Sequence, residues 1–252
     1  MKTLAVIPAR LGASRLPRKP LRLLAGLPLV VRVWQRVQSL NVADRCVIAT
    51  DSDEVAAAVR PHGAEAVLTS PAHPSGTDRV AEVASRREFR EFDAILNVQG
   101  DEPFVSVAAV RGAVGQVTSG TFSLGTAAAR APEEILDEPS VVKVVAADDG
   151  RAMYFSRAAI PFLRDAAEAH LRSTRVWQHI GVYAYARDAL ARWVSLPPHP
   201  LEQIERLEQL RPLAAGLAMG VAFVDERPIV GVDTLDDLTR ANADWKDLNG
   251  RS

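Results

Sequence analysis

Leu4-Ala5-Val6-Ile7, followed by Pro8-Ala9-Arg10-Leu11-Gly12-Ala13-Ser14-Arg15-Leu16-Pro17-Arg18-Lys19-Pro20, is the stretch on which the fold turns. Its first four residues are continuously apolar, the pattern of a short strand buried on both faces, as parallel strands are. The proline and glycine content of residues 8–20 makes them a loop. Leu29, Val33, Val37 and Leu40 then recur at spacings of three and four, which marks one face of a helix. The alternation continues. Residues 46–50 read as a strand, and Asp51-Ser52-Asp53-Glu54 opens a helix that ends near Pro61 and Gly63. Residues 67–69 are strand-like, 80–85 helix-like, and 94–99 strand-like again. The pattern predicts an α/β fold, with a mainly parallel, Rossmann-like sheet carrying helices on both faces.

Farther on the pattern is less regular. Residues 123–128, 141–146 and 181–185 are strand-like, 201–210 read as a helix, and 221–224 as a strand. Residues 234–248 form a closing helix capped by Thr234. No repeat, low-complexity run or flexible linker separates two halves. Residues 1–252 are therefore read as a single domain with an inserted subdomain at about 125–220.

Composition narrows the class. Of the 252 residues, 48% are apolar, enough for a sizeable core without staples. The longest apolar run, residues 23–31, contains Gly26 and Pro28 and is far too short to cross a bilayer. No membrane insertion is expected, and with no secretory pattern near Lys2 the expected location is cytoplasmic. The lone Cys46 excludes a disulfide framework and a cysteine-based metal cage. The net charge of -1 hides an asymmetry: residues 1–43 hold eight basic side chains and no acidic one. That leaves 22 basic against 31 acidic groups downstream, or -9. The N-terminal segment is thus expected to meet an anion.

Three polar segments follow predicted strands, where ligands of open α/β sheets collect. The loop 8–20 offers backbone amides, Gly12 and the cations Arg10, Arg15, Arg18 and Lys19, which together suit a polyphosphate. It carries neither a Walker loop nor a G-x-G-x-x-G pattern. Asn97-Val98-Gln99-Gly100-Asp101-Glu102-Pro103 ends an apolar strand with a carboxylate suited to a hard cation such as Mg²⁺. Val230-Gly231-Val232-Asp233-Thr234 puts a second carboxylate before the closing helix. Taken singly, these are a solvated basic loop, a turn and a helix cap. Their co-occurrence makes Asp233 the natural partner of Asp101.

Eight motifs occur in one order: I-P-A-R-L-G-A-S-R-L-P-R-K-P-L (7–21), A-T-D-S-D-E-V (49–55), H-P-S-G-T-D-R (73–79), N-V-Q-G-D-E-P (97–103), Y-F-S-R-A-A-I-P (154–161), H-I-G-V-Y-A-Y (179–185), L-E-Q-L-R (207–211) and G-V-D-T (231–234). Together they resemble the 3-deoxy-manno-octulosonate cytidylyltransferases (CMP-Kdo synthetases), nucleotidyltransferases that activate a sugar for lipopolysaccharide. The resemblance implies transfer of CMP from CTP to the anomeric hydroxyl of the acidic sugar, with release of pyrophosphate. It implies that Ala9, Arg10, Arg15, Lys19, Ser75 and Gly76 hold the nucleotide, and that Lys19, Asp101 and Asp233 serve catalysis. Arg79, Gln99, Arg157, His179, Tyr183, Glu208 and Gln209 would line the sugar pocket, Arg79 or Arg157 gripping the carboxylate as a planar fork. Asp101 and Asp233 would hold Mg²⁺, and the assembly would be a homodimer with the inserted subdomain at the contact.

Two positions depart from the family pattern. Arg18 stands where glycine is usual, which costs up to about 1–2 kcal/mol if that position needs positive φ. Gln178 replaces a basic residue before the histidine. The nearest alternative is the same reaction on another acidic ulosonate, 8-amino-Kdo or a sialic-acid-like sugar. A nucleic-acid-binding module is weaker, because the basic segment holds one aromatic, Trp34, on an apolar helix. A silent nucleotide sensor is disfavoured by the presence of both candidate metal carboxylates.

Overall fold

The computed structural model describes residues 1–12, 16–225 and 231–249. The chain divides into two compact units, Met1–Val105 with Ile229–Ser252, and Ser106–Pro228.

In the first unit the opening apolar run forms strand β1 (Thr3–Ala9), buried at every residue but Pro8. A small hairpin of β2 (Leu23–Leu24) and β3 (Leu27–Pro28) leads into helix α1 (Leu29–Ser39). Next come β4 (Arg45–Thr50), α2 (Asp53–Val59), β5 (Glu65–Leu68), α3 (Gly76–Ser85) and β6 (Ala94–Val98). β1 pairs in parallel on both edges, with Leu4 opposite Arg45 and Thr3 opposite Ala94. Burial on two faces and two edges is why the run shows no polar alternation.

The order of these four strands is β6-β1-β4-β5. The chain steps outward from β1 to β5, then returns across the sheet to place β6 on the other side of β1. Right-handed crossovers in opposite directions put α1 and α2 on one face and α3 on the other. The reversal leaves a crevice at the carboxyl ends of β1 and β6, where such folds bind ligands.

α3 begins four residues before the apolar pattern suggests. Ser75 caps it, its hydroxyl accepting the Asp78 amide at 3.2 Å and donating to the Asp78 carboxylate at 2.6 Å. Capping chemistry, not hydrophobic period, sets that boundary.

The second unit contains α4 (Val107–Thr118), β7 (Leu124–Arg130), β8 (Lys143–Ala146), β9 (Ala152–Ser156), α5 (Ala169–Ser173), β10 (Trp177–Ala186), α6 (Arg187–Ser195), α7 (Pro200–Glu205), α8 (Leu210–Ala214) and β11 (Met219–Val224). β7 pairs in parallel with β11 and antiparallel with β10; β8 pairs antiparallel with β10 and β9. α4, β9, α5 and α6 are absent from the pattern reading. α4 is rich in Val and Gly, poor helix formers, and tertiary packing overrides that preference. A Cβ on Gly125 of β7 would lie 2.2 Å from the Ala113 carbonyl oxygen of α4, so helix and sheet meet through glycine.

The helix expected over 201–210 is two helices. α7 stops at Glu205, Arg206 turns left-handed at φ 55°, and α8 starts at Leu210. Pro212, beyond the expected helix, falls in the first turn of α8, where proline is tolerated. Glu208 and Gln209 therefore sit in the turn between helices, Gln209 being buried.

Helix α9 (Leu235–Asn249) returns to the first unit. Its start is reciprocally capped: the Thr234 hydroxyl accepts the Asp237 amide at 3.2 Å, and the Asp237 carboxylate accepts the Thr234 amide at 2.8 Å. Leu238 and Ala241 pack with Leu16, Leu24, Leu29 and Val232, and Trp245 packs against Phe104 at 5.8 Å between ring centres. This cluster anchors the chain on either side of the two segments that carry Lys19 and Asp233.

Candidate active site

The crevice is assembled by close backbone approach. A Cβ on Gly100 would lie 2.7 Å from the Pro8 carbonyl oxygen, and one on Gly76 would lie 3.4 Å from the Pro8 ring and 3.7 Å from Gln99 Oε1. The ends of β1 and β6 and the first turn of α3 are thus neighbours. Ala9, Ser75, Gly76 and Gln99, expected for ligand binding, come together here; Ala9 is buried and Arg10 is exposed. Arg15 lies outside the described residues. Amides at the start of α3 offer donors to an anion, although the Ser75 hydroxyl is already engaged by Asp78.

At the mouth of this crevice the three remote residues Lys19, Asp101 and Asp233 meet. Lys19 Nζ donates to Asp101 Oδ2 at 2.5 Å and to Asp233 Oδ1 at 2.9 Å. The Val232 amide donates to the Asp101 carbonyl at 2.9 Å, tying the two acidic segments together. Burial disfavours the Lys19 charge, but the two carboxylates outweigh it and raise the Lys19 pKa. Glu102 was not singled out from sequence. Burial first, then the negative charges of Asp101 and Asp233, push its carboxyl up to about 8, so it is neutral at pH 7. Gly231 leaves it room, since a Cβ there would sit 2.7 Å from Glu102 Oε1.

The donor set fits Mg²⁺. Two carboxylate oxygens already converge on a single cationic nitrogen, and carboxylates are the hard ligands that Mg²⁺ prefers alongside phosphate.

The turn that aims Lys19 is strained. Arg18 adopts φ 60° and ψ 31°, the left-handed region, and its carbonyl accepts the Leu21 amide at 3.0 Å. Its guanidinium pairs with Glu54 at the surface. Arg79 is also engaged, buried against Asp51 at 2.9 Å and Thr69 at 2.5 Å, beside the ends of β4 and β5. Asp51 was read only as part of a helix start; its role as the arginine's counter-ion needed the fold.

The remaining sugar-pocket candidates lie in the second unit. His179 on β10 is surrounded by Phe155 at 4.9 Å and Tyr183 at 5.4 Å, ring centre to ring centre. Burial depresses its pKa to about 3, so the imidazole is neutral. Thr126 Oγ1 donates to the Val182 carbonyl at 2.8 Å and shares a hydrogen bond with His179 Nε2 at 2.9 Å. Tyr183 is buried, and burial, reinforced by the charge of Glu208, raises its hydroxyl well above the usual range. Arg157 follows β9, its Nε donating to the Glu205 carbonyl and Nη1 to the Pro139 carbonyl.

Residues 4–221 match the family model described as cytidylyltransferase. The chain belongs to the cytidylyltransferase family. A relative from Gemmatimonas aurantiaca, named 3-deoxy-manno-octulosonate cytidylyltransferase, is 64% identical over 249 residues, covering 99% of this chain and 96% of its own. A solved structure described as CMP:2-keto-3-deoxy-manno-octonic acid synthetase complexed with CTP superposes with TM-score 0.90 at 36% identity, covering 98% of this chain and all of that one. The 4-diphosphocytidyl-2C-methyl-D-erythritol synthase of Anaerococcus prevotii shares the fold alone, with TM-score 0.64 at 14% identity over 97% of this chain and 98% of that one. This cytidylyltransferase is thus a nucleotidyltransferase built on a mixed, mostly parallel sheet. Among the described residues no helix is long and apolar enough to cross a membrane.

Proposed function

We propose that the chain transfers CMP from CTP to the anomeric hydroxyl of 3-deoxy-D-manno-octulosonate (Kdo), giving CMP-Kdo and pyrophosphate for lipopolysaccharide biosynthesis. The observation that carries the reading is the meeting of Lys19, Asp101 and Asp233 at the switch point between β1 and β6. The choice of sugar is supported by the name of the relative that is 64% identical along nearly its whole length.

The triphosphate and the acidic sugar repel each other, so the reaction needs positioning and charge neutralisation more than covalent help. The sugar oxygen bonds to the α-phosphorus as the bond to the bridging oxygen of pyrophosphate breaks, and the hydroxyl proton leaves to solvent. Arg10, Arg15, Lys19 and the amides around Ser75 and Gly76 neutralise and orient the triphosphate. Asp101 and Asp233 would hold Mg²⁺, which when bound spreads the phosphate charge and lowers the pKa of the attacking hydroxyl. Arg157 is better placed than Arg79 to fork the sugar carboxylate, because Arg79 is buried against Asp51. His179, neutral and packed among aromatics, orients the sugar rather than transferring a proton. A cytoplasmic homodimer belongs to the same proposal, and light scattering at working concentration tests the stoichiometry.

The test is pyrophosphate release with CTP, Mg²⁺ and Kdo, repeated with ATP, GTP and UTP, and with 8-amino-Kdo and a sialic acid. Turnover confined to CTP with Kdo is expected. No release with any acidic sugar would overturn the reading.

A further inference from the structure

Two charged side chains of the second unit have no role in the reading above. Both grip one residue. Glu205, the last residue of α7, turns both carboxylate oxygens on the end of β9: Oε1 accepts the Ser156 hydroxyl at 2.6 Å, and Oε2 accepts the Arg157 amide at 2.9 Å. Its own carbonyl accepts Arg157 Nε at 2.8 Å. Lys143, fully buried on β8, holds the same residue by its other end. Its ammonium donates to the carbonyls of Arg157 at 2.6 Å, Val141 at 2.8 Å and Glu138 at 3.0 Å. A buried ammonium satisfied wholly by carbonyls is costly, and burial lowers the Lys143 pKa. A fold does not accumulate such a group without a structural use for it.

The outcome is an arginine fixed at four points. Its amide, carbonyl and Nε are held by Glu205 and Lys143, and Nη1 donates to the Pro139 carbonyl at 2.9 Å. The Glu205 carboxylate takes the Arg157 amide on one oxygen and the Ser156 hydroxyl on the other, so Ser156 is locked beside it. Among the described residues, Nη2 alone makes no hydrogen bond. Glu205 is itself secured, because its helix carries a capping box at His199 and is clipped to α8 by Glu202, which receives Arg211 Nε at 2.7 Å and Nη2 at 2.5 Å.

We propose that Glu205, backed by Lys143, is a positioning residue for Arg157, holding its guanidinium with the Nη2 edge open toward a carboxylate of the acidic sugar. This rests on the reading of Arg157 as a sugar contact. A free arginine loses rotamer freedom when it closes on an anion; here that ordering is already complete before the ligand arrives. Glu205 never touches the sugar. Its effect reaches the reaction through the geometry of Arg157.

The test is steady-state pyrophosphate release by the full-length chain, comparing wild type, Arg157→Ala, Glu205→Ala, Glu205→Gln and the double alanine variant. Arg157→Ala and Glu205→Ala are each expected to raise the KM for Kdo about tenfold, with the KM for CTP changed less than about twofold. Glu205→Gln keeps an acceptor for the Arg157 amide and is expected to recover to within about threefold of wild type. The double variant is expected to be no worse than Arg157→Ala alone, because the two act as one unit. An unchanged Kdo KM in Glu205→Ala, beside a raised one in Arg157→Ala, overturns the positioning role alone. Multiplicative losses in the double variant, or equal rises for both substrates, also overturn it by marking Glu205 as merely structural. An unchanged Kdo KM in Arg157→Ala overturns the sugar-contact reading, and the proposal with it.

Discussion

Replacing His179 by glutamine tests how the second unit treats a buried imidazole. Burial holds the native pKa at about 3, whereas an unfolded histidine titrates near its ordinary value of 6.5. Between those limits the unfolded chain binds a proton that the native protein refuses. Stability is therefore complete above about pH 6.5 and is lost as the pH falls toward 3. From the two pKa values, moving from pH 7 to pH 4.5 removes about 2.5 kcal/mol through this one residue. Glutamine cannot titrate and still offers a donor to Thr126 Oγ1, which already gives its own proton to the Val182 carbonyl. Urea unfolding at fixed protein concentration, repeated at half-unit steps across the range, isolates the effect as a difference in slope. The variant is expected to be less stable than wild type at pH 7, because the contacts with Phe155 and Tyr183 are lost. That deficit should shrink by about 2 kcal/mol at pH 4.5 as the proton-linked penalty of the wild type grows. Stability profiles parallel to within about 0.5 kcal/mol would refute the neutral, desolvated histidine.

Three further perturbations have definite signs. Lys19→Met strips the cation from between Asp101 and Asp233, so kcat/KM should fall by about 10²-fold or more. Mg²⁺ should raise the Tm of that variant more than that of wild type in calorimetry, because the ammonium no longer competes for the carboxylates. Gly125→Ala forces a methyl against the Ala113 carbonyl at 2.2 Å, and chemical denaturation should show a loss of about 2 kcal/mol or more. Arg18→Gly relieves a left-handed side chain at φ 60° and loses only an exposed ion pair with Glu54. A gain of about 0.5–1 kcal/mol in urea is expected, and a loss would show that the pair outweighs the strain.

Much of the first unit was legible because local and global preferences agree there. A short continuous apolar run bounded by proline reads as a doubly covered strand, Ser52 caps a helix with a short-range hydrogen bond, and proline and glycine punctuate the loops. Arg18 is the exception to that agreement, yet its departure from the family's glycine pointed to a position where backbone sterics matter, and φ there is positive. The second unit was less legible. α4 dilutes three alanines with four valines and two glycines, and the helix expected over 201–210 is cut by the left-handed turn at Arg206.

The sequence by itself determined the alternation of strands and helices, the basic loop, the two acidic segments and the family resemblance, since all are carried by the identity and order of residues along the chain. Only the tertiary structure decided which side chains share a neighbourhood. Lys19, Asp101 and Asp233 are separated by 82 and 132 positions and become neighbours because the strand order reverses beside β1. The same holds for Arg79 with Asp51, and for Lys143 and Glu205 with Arg157. The reason is physical: burial, counter-ions and hydrogen-bond partners belong to a point in space, and pairing between distant segments is what creates that point.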